Sequence, residues 1–149
     1  ETKRIAGIFI NHCVPNDVVG LAGTLGAGKT CFVKGMAQGL GIEARHKVTS
    51  PTFVLHKEYE GDLTLHHFDA YRLEGAEAMT DLGCSDIFTN GGVSVIEWAD
   101  HVIECLPDEH YMWFLRITGQ RERELELHAS GTGLHGRLRA LKADLQDYM

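Results

Sequence analysis

The chain has 149 residues and a mass of 16.5 kDa, which suits one compact domain (residues 1–149) and excludes a second catalytic one. With 44% hydrophobic residues, 23% charged residues and 3 prolines, it can bury a core and is neither disordered nor of low complexity. Its net charge of −7 argues against a free-standing nucleic-acid binder, because a phosphate backbone calls for a basic surface.

Ile5, Ile8 and Phe9 recur at helical spacing. Pro15, Asn16 and Asp17 then supply a turn before the apolar run Val18–Ala22, which reads as a buried strand. From Lys29 onward, Phe32, Val33, Met36 and Leu40 form an apolar helix face that ends near Gly39 and Gly41. The stretch Arg45–Thr52 lacks apolar periodicity and reads as an ordered loop. Phe53–Tyr59 and Leu63–Phe68 are strand-like and meet at Glu60, Gly61 and Asp62, which suits an antiparallel hairpin. A short helix is expected over Ala76–Leu82, a second buried strand over Val93–Trp98, and another short helix over Ala99–Leu106. Strands over Tyr111–Thr118 and Glu124–Ala129 follow. Leu134, Leu138, Leu141 and Leu145 then place a leucine stripe on a terminal helix, with Arg137, Arg139 and Lys142 on its solvated side. This order predicts an α/β fold, a single P-loop NTPase-like domain whose mixed central β-sheet is flanked by helices.

Several chemistries are disfavoured by spacing. Cys13, Cys31, Cys84 and Cys105 form no C-x-x-C pair, so they read as reduced thiols. His66 and His67 are adjacent on a strand and point to opposite faces, which does not suit a metal site. No apolar run approaches the roughly 18–20 residues of a bilayer span, and Glu1–Arg4 opens a helix-like pattern rather than a signal peptide, so a cytoplasmic protein without membrane association is expected. The first residue is Glu rather than Met, and we read the numbering as beginning inside the native chain or after processing. The charge is uneven: residues 1–47 carry +3, 48–110 carry −11 and 111–149 carry +1. The acidic middle reads either as a solvated face or as an attractor of a basic protein partner.

Gly23, Thr24, Leu25, Gly26, Ala27, Gly28, Lys29 and Thr30 match G-x-x-x-x-G-K-[ST] in full, between an expected strand and an expected helix. At this composition the pattern arises by chance roughly 0.007 times per chain. Glycines let successive backbone N–H groups wrap a phosphate, and the helix beginning near Lys29 turns its positive end toward it. The nucleotide-binding stretch is therefore Thr24–Cys31, with Lys29 reaching the β and γ phosphates and the Thr30 hydroxyl available to Mg²⁺.

Such a site needs an acid at the end of a neighbouring strand, and Asp69 and Glu97 both qualify. Val93–Ile96 is the more apolar run, so Glu97 reads as the metal-side acid, while Asp69 ends a strand expected to be half exposed. A helix cap for Asp69 and a surface carboxylate for Glu97 are the bland alternatives. No N-K-x-D follows, so ATP is favoured over GTP by elimination. Arg72 reads as a phosphate contact or an ion-pair former, and Trp98 as core or a partner anchor rather than a base-stacking platform.

Four blocks in this order resemble the TsaE (YjeE) family of small bacterial P-loop ATPases, which act in forming threonylcarbamoyladenosine in tRNA. They are G-T-L-G-A-G-K-T at 23–30, V-T-S-P-T-F at 48–53, H-F-D-A-Y-R-L at 67–73 and I-E-W at 96–98. The resemblance implies ATP and Mg²⁺ as cofactors, Mg²⁺ coordination by Thr30 and Glu97, and a catalytic or water-orienting Asp69 beside the catalytic Lys29. It also implies a switch-like, partner-coupled group of Ser50, Pro51, Thr52, Tyr71, Arg72 and Trp98. The implied partners are a threonylcarbamoyl-transferring enzyme and its dimerising paralogue (TsaD and TsaB type), with tRNA reached through that complex. ATP hydrolysis would reset the complex between turnovers. Many members follow E-W with proline, whereas this chain has Ala99, Asp100 and His101, a departure confined to the loop after the metal-side acid. A small-molecule kinase and a nucleotide-gated interaction module use the same P-loop and stand as alternatives.

Overall fold

In the computed structural model, residues 1–42, 47–52 and 54–149 are described. The strands are β1 (Val18–Ala22), β2 (His56–Tyr59), β3 (Leu65–Asp69), β4 (Val93–Glu97), β5 (His110–Ile117) and β6 (Arg123–Ser130), and the helices are α1 (Thr2–Ile10), α2 (Lys29–Gly39), α3 (Ala76–Asp81), α4 (Cys84–Phe88) and α5 (His135–Asp144). The strands form one sheet in the order β2-β3-β4-β1-β5-β6. β3, β4, β1 and β5 run parallel, and β2 and β6 close the edges antiparallel. β1, β3 and β4 are buried along their whole length, as strands covered on both faces must be.

Two cores explain that burial. On one face Val19, Leu21, Val93 and Val95 pack against Phe9 and Ile10 of α1 and Phe32, Val33 and Met36 of α2, with Leu141 of α5 at the margin. On the other, Val18, Phe68, Ile96 and Met112 pack against Met79 of α3, Cys84 and Phe88 of α4, and Ala99 and Val102 of a 3-10 helix over Ala99–Cys105. The chain thus leaves β1 toward the first face and leaves β3 and β4 toward the second. That divergence opens a crevice at the strands' carboxyl ends, where open α/β sheets place ligands.

The α1–α2 contact is unusually close because glycines line it. A Cβ on Gly35 would lie 2.7 Å from Lys3 Cα and 2.8 Å from Ala6 Cβ. Gly35→Ala is therefore expected to destabilise the protein by about 1–3 kcal/mol despite alanine's better helix propensity. Gly136→Ala on the open face of α5, where nothing lies within 4 Å, should instead stabilise by about 0.4–1 kcal/mol. Urea denaturation of the two variants checks the opposite signs.

Several boundaries and exposures differ from the sequence expectation. The second strand begins at His56, because Leu55 takes a positive φ of 67° and the chain turns there; Phe53, Arg45 and the first part of the expected loop lie outside the described residues. Strand β3 is fully buried rather than half exposed, since its two histidines are used by side-chain partners: His66 faces His56 at 3.2 Å and His67 faces Glu97. The Ala99–Leu106 helix is of the 3-10 type, and the short α4 was not foreseen. Arg137 is not on a solvated face; it forms a bidentate pair with Asp17 that ties α5 to the turn before β1. All four cysteines are free, and among the described residues no helix is long and apolar enough to cross a membrane.

Candidate functional site

β1 delivers the chain into the Gly23–Gly28 loop, and α2 begins at Lys29. Gly26 (φ 80°) and Gly28 (φ 110°) hold left-handed backbone that a Cβ would resist, which is what lets the loop curl back over the helix start. No side chain caps α2, so its first-turn N–H groups face the loop. Leu25 is 79% exposed at the loop tip with Thr24 and Gly26, Ala27 is buried, and Cys31 is half-buried in the first turn of α2. Arg123 reaches across from β6 to donate to the Gly26 carbonyl at 3.3 Å.

Lys29 is only 5% exposed. Its ammonium donates to the carbonyls of Gly23 at 2.5 Å and Thr24 at 3.0 Å, and it sits 3.7 Å from the centre of the Trp98 ring. Burial pushes it below its ordinary pKa, against the pull of the Glu97, Asp100 and Asp69 carboxylates. Trp98 holds a left-handed backbone (φ 60°, ψ 38°) that a bulky residue rarely takes. It is half-buried, with its ring against those of Tyr71 (4.9 Å) and His101 (5.3 Å).

The two acids stand side by side. Asp69 and Glu97 are register partners at the carboxyl ends of parallel β3 and β4, and each is 3% exposed. This excludes a surface carboxylate for Glu97, and equal burial removes the ground on which it was set above Asp69. Their contacts distinguish them instead. Glu97 Oε1 accepts from the Thr30 hydroxyl at 2.7 Å, and Oε2 accepts from His67 Nε2 at 2.5 Å. Asp69 Oδ2 accepts from the Ser50 and Thr52 hydroxyls at 2.5 and 2.9 Å, and Oδ1 accepts from the Tyr71 backbone N–H at 2.9 Å. The last bond shapes a turn and not a helix cap, since α3 starts only at Ala76.

The irregular 47–52 segment is thus tied to Asp69 by two hydroxyls, with Pro51 buried between them and Lys57 donating to Thr49 at 3.0 Å. Tyr71 is half exposed and Arg72 exposed on the next turn, at the rim. The structure brings together Lys29, Thr30, Glu97, Asp69, Ser50, Thr52 and Trp98; it leaves Leu25 and Arg72 at the surface. In the sequence His67 reads, with His66, as a pair unsuited to a metal, and nothing there joins it to Glu97. Its place two residues before Asp69, on the same strand face, was the available signal.

Among the described residues no three His, Cys, Asp or Glu side chains converge as a metal-ligand set. One hydroxyl and one carboxylate meeting at 2.7 Å are a donor set of hard oxygens. That suits Mg²⁺, which keeps several waters and takes one or two protein oxygens beside phosphate. The residues present fit the ion. A cavity of about 840 Å³ opens between α1, β6 and α5, lined by Thr2, Ile5, Trp113, Leu125 and the Arg123 that reaches the loop at Gly26, among others. The indole N–H of Trp113, one of the lining residues, is buried without a partner among the described residues.

A family profile described as "Threonylcarbamoyl adenosine biosynthesis protein TsaE" matches residues 1–125. The chain is 45% identical over 132 residues to the tRNA threonylcarbamoyladenosine biosynthesis protein TsaE of Bacillus subtilis (strain 168), covering 88% of this chain and 81% of that protein. It is 47% identical over 125 residues to the protein of that name from Treponema pallidum, covering 84% and 91%. The crystal structure of Bacillus subtilis YdiB superposes with a TM-score of 0.79 at 37% identity, over 96% of this chain and 88% of that one.

Proposed function

The chain belongs to the TsaE family, and from that premise we propose that it serves tRNA threonylcarbamoyladenosine biosynthesis as an ATPase: it binds Mg·ATP at Gly23–Cys31 and hydrolyses it to drive the complex that modifies adenosine 37 of tRNAs reading codons that begin with A. The observation that carries this reading is the meeting of Thr30 and Glu97 at 2.7 Å beside Asp69, directly under the glycine loop.

Each residue has a task that follows from its place. The loop amides and the α2 N-terminus cradle the phosphates. The Lys29 ammonium, now held by two carbonyls, supplies positive charge for the β and γ phosphate oxygens. Thr30 and Glu97 would hold Mg²⁺, which would spread the charge of the phosphate oxygens. Asp69 orients the attacking water, and the Ser50 and Thr52 hydroxyls on its Oδ2 couple its position to the 47–52 loop. The cavity lined by Ile5, Trp113 and Leu125 takes the base, with Arg123 linking it to the loop at Gly26. The half-exposed Tyr71 and Trp98 at the rim face the partners, a threonylcarbamoyl-transferring enzyme and its dimerising paralogue, and the work is done in the cytoplasm.

The test is a pull-down of those two partners by this chain with and without ATP, followed by a tRNA modification assay. Nucleotide-dependent capture and repeated modification with ATP are expected. Capture with a non-hydrolysable analogue should support binding but not repeated modification. Equal multiple turnover with the analogue would rule against a role for hydrolysis.

A further inference from the structure

We propose that His67 is the positioning residue that sets the Glu97 carboxylate for its metal, an inference that rests on reading Glu97 as the magnesium-side acid. The imidazole has no solvent exposure, and its Nδ1 is buried without a partner among the described residues, where the bond from Nε2 to Glu97 Oε2 is the polar contact the ring makes. A carboxylate only accepts, so the ring carries its proton on Nε2 and donates it. A buried imidazole with one nitrogen unpartnered among the described residues is costly, and beside Leu65 and Val95 a leucine would pack without that cost.

What the imidazole supplies is a division of the carboxylate. With Oε2 pinned, Oε1 is turned to the Thr30 hydroxyl. A glutamate side chain without that tether can rotate away from Thr30, and the metal side of the site would lose a fixed carboxylate oxygen. His67 holds the acid toward Thr30, as outer partners commonly orient metal-binding carboxylates.

The test compares His67→Leu with His67→Gln, whose amide N–H can donate in place of Nε2. Nucleotide binding is titrated with Mg²⁺ by calorimetry, alongside metal-free nucleotide binding. In His67→Leu the Mg²⁺ concentration at half effect should rise about 10–100-fold. In His67→Gln it should return to within several-fold of wild type, and metal-free nucleotide affinity should be unchanged in both. A merely structural role would lower all three readouts together. Wild-type Mg²⁺ dependence in a folded His67→Leu, or His67→Gln no better than His67→Leu, would overturn the proposal. Should His67→Leu not fold, the wild-type protein decides: nitrogen NMR should show a proton on Nε2, and an unprotonated Nε2 would overturn the proposal. Wild-type nucleotide binding without any Mg²⁺ dependence would overturn the reading of Glu97 itself, a result distinguishable because it appears before any substitution is made.

Discussion

Lys29→Ala is expected to cut phosphate release from Mg·ATP by about 10²–10³-fold or more, the scale of removing one preorganised charged donor from a phosphoryl-transfer site. The fold should survive. Among the described residues the Lys29 ammonium hydrogen-bonds to the Gly23 and Thr24 carbonyls, both in the partly exposed loop that water can reach, and its own burial is costly. Binding should fall with turnover, because the ammonium meets ground-state phosphates as well as the transition state. Lys29→Arg should not rescue: the wider planar guanidinium has to fit between two carbonyls and the Trp98 ring, 3.7 Å from the present ammonium. Phosphate release and nucleotide titration on the three proteins check this.

The second large effect separates the two acids. Glu97→Gln keeps the shape and removes the charge, and turnover should drop about 10²–10³-fold with a raised Mg²⁺ requirement. Affinity for metal-free ATP should hold or improve, since a negative group has left the phosphate side. Asp69→Asn should lower turnover by about 10²–10⁴-fold while leaving the Mg²⁺ requirement near wild type. The Ser50 and Thr52 hydroxyls can still bond an asparagine oxygen, so the 47–52 loop should stay in place. Steady-state rates over a Mg²⁺ series distinguish the two patterns. Identical Mg²⁺ responses would contradict the division of roles drawn from Thr30 on Glu97 and the loop hydroxyls on Asp69.

The glycine loop was legible because its information is local: eight consecutive residues fix the turn, the helix start and the charge. The strands around it were legible from apolar runs, to within a few residues. The sequence ranks Glu97 above Asp69 on an expected difference in burial, and the β3–β4 register, a pairing across 28 positions of chain, removes that difference. The burial of β3 was misread for a related reason. His66 and His67 look half exposed by type, and only partners from β2 and β4 make their burial tolerable. Arg137 likewise reads as a solvated basic residue until Asp17, far away in sequence, is brought beside it. The five-residue α4 is too short for a helical period to register. Local structure was readable, and long-range partnership was not.

The most direct measurement is calorimetric titration of the wild-type chain with Mg·ATP, with Lys29→Ala as its control. The account predicts saturable heat at one site at or below about millimolar ligand, a raised melting temperature, and loss of both in Lys29→Ala. Absence of heat and an unmoved melting curve for the wild-type protein at that concentration would contradict it.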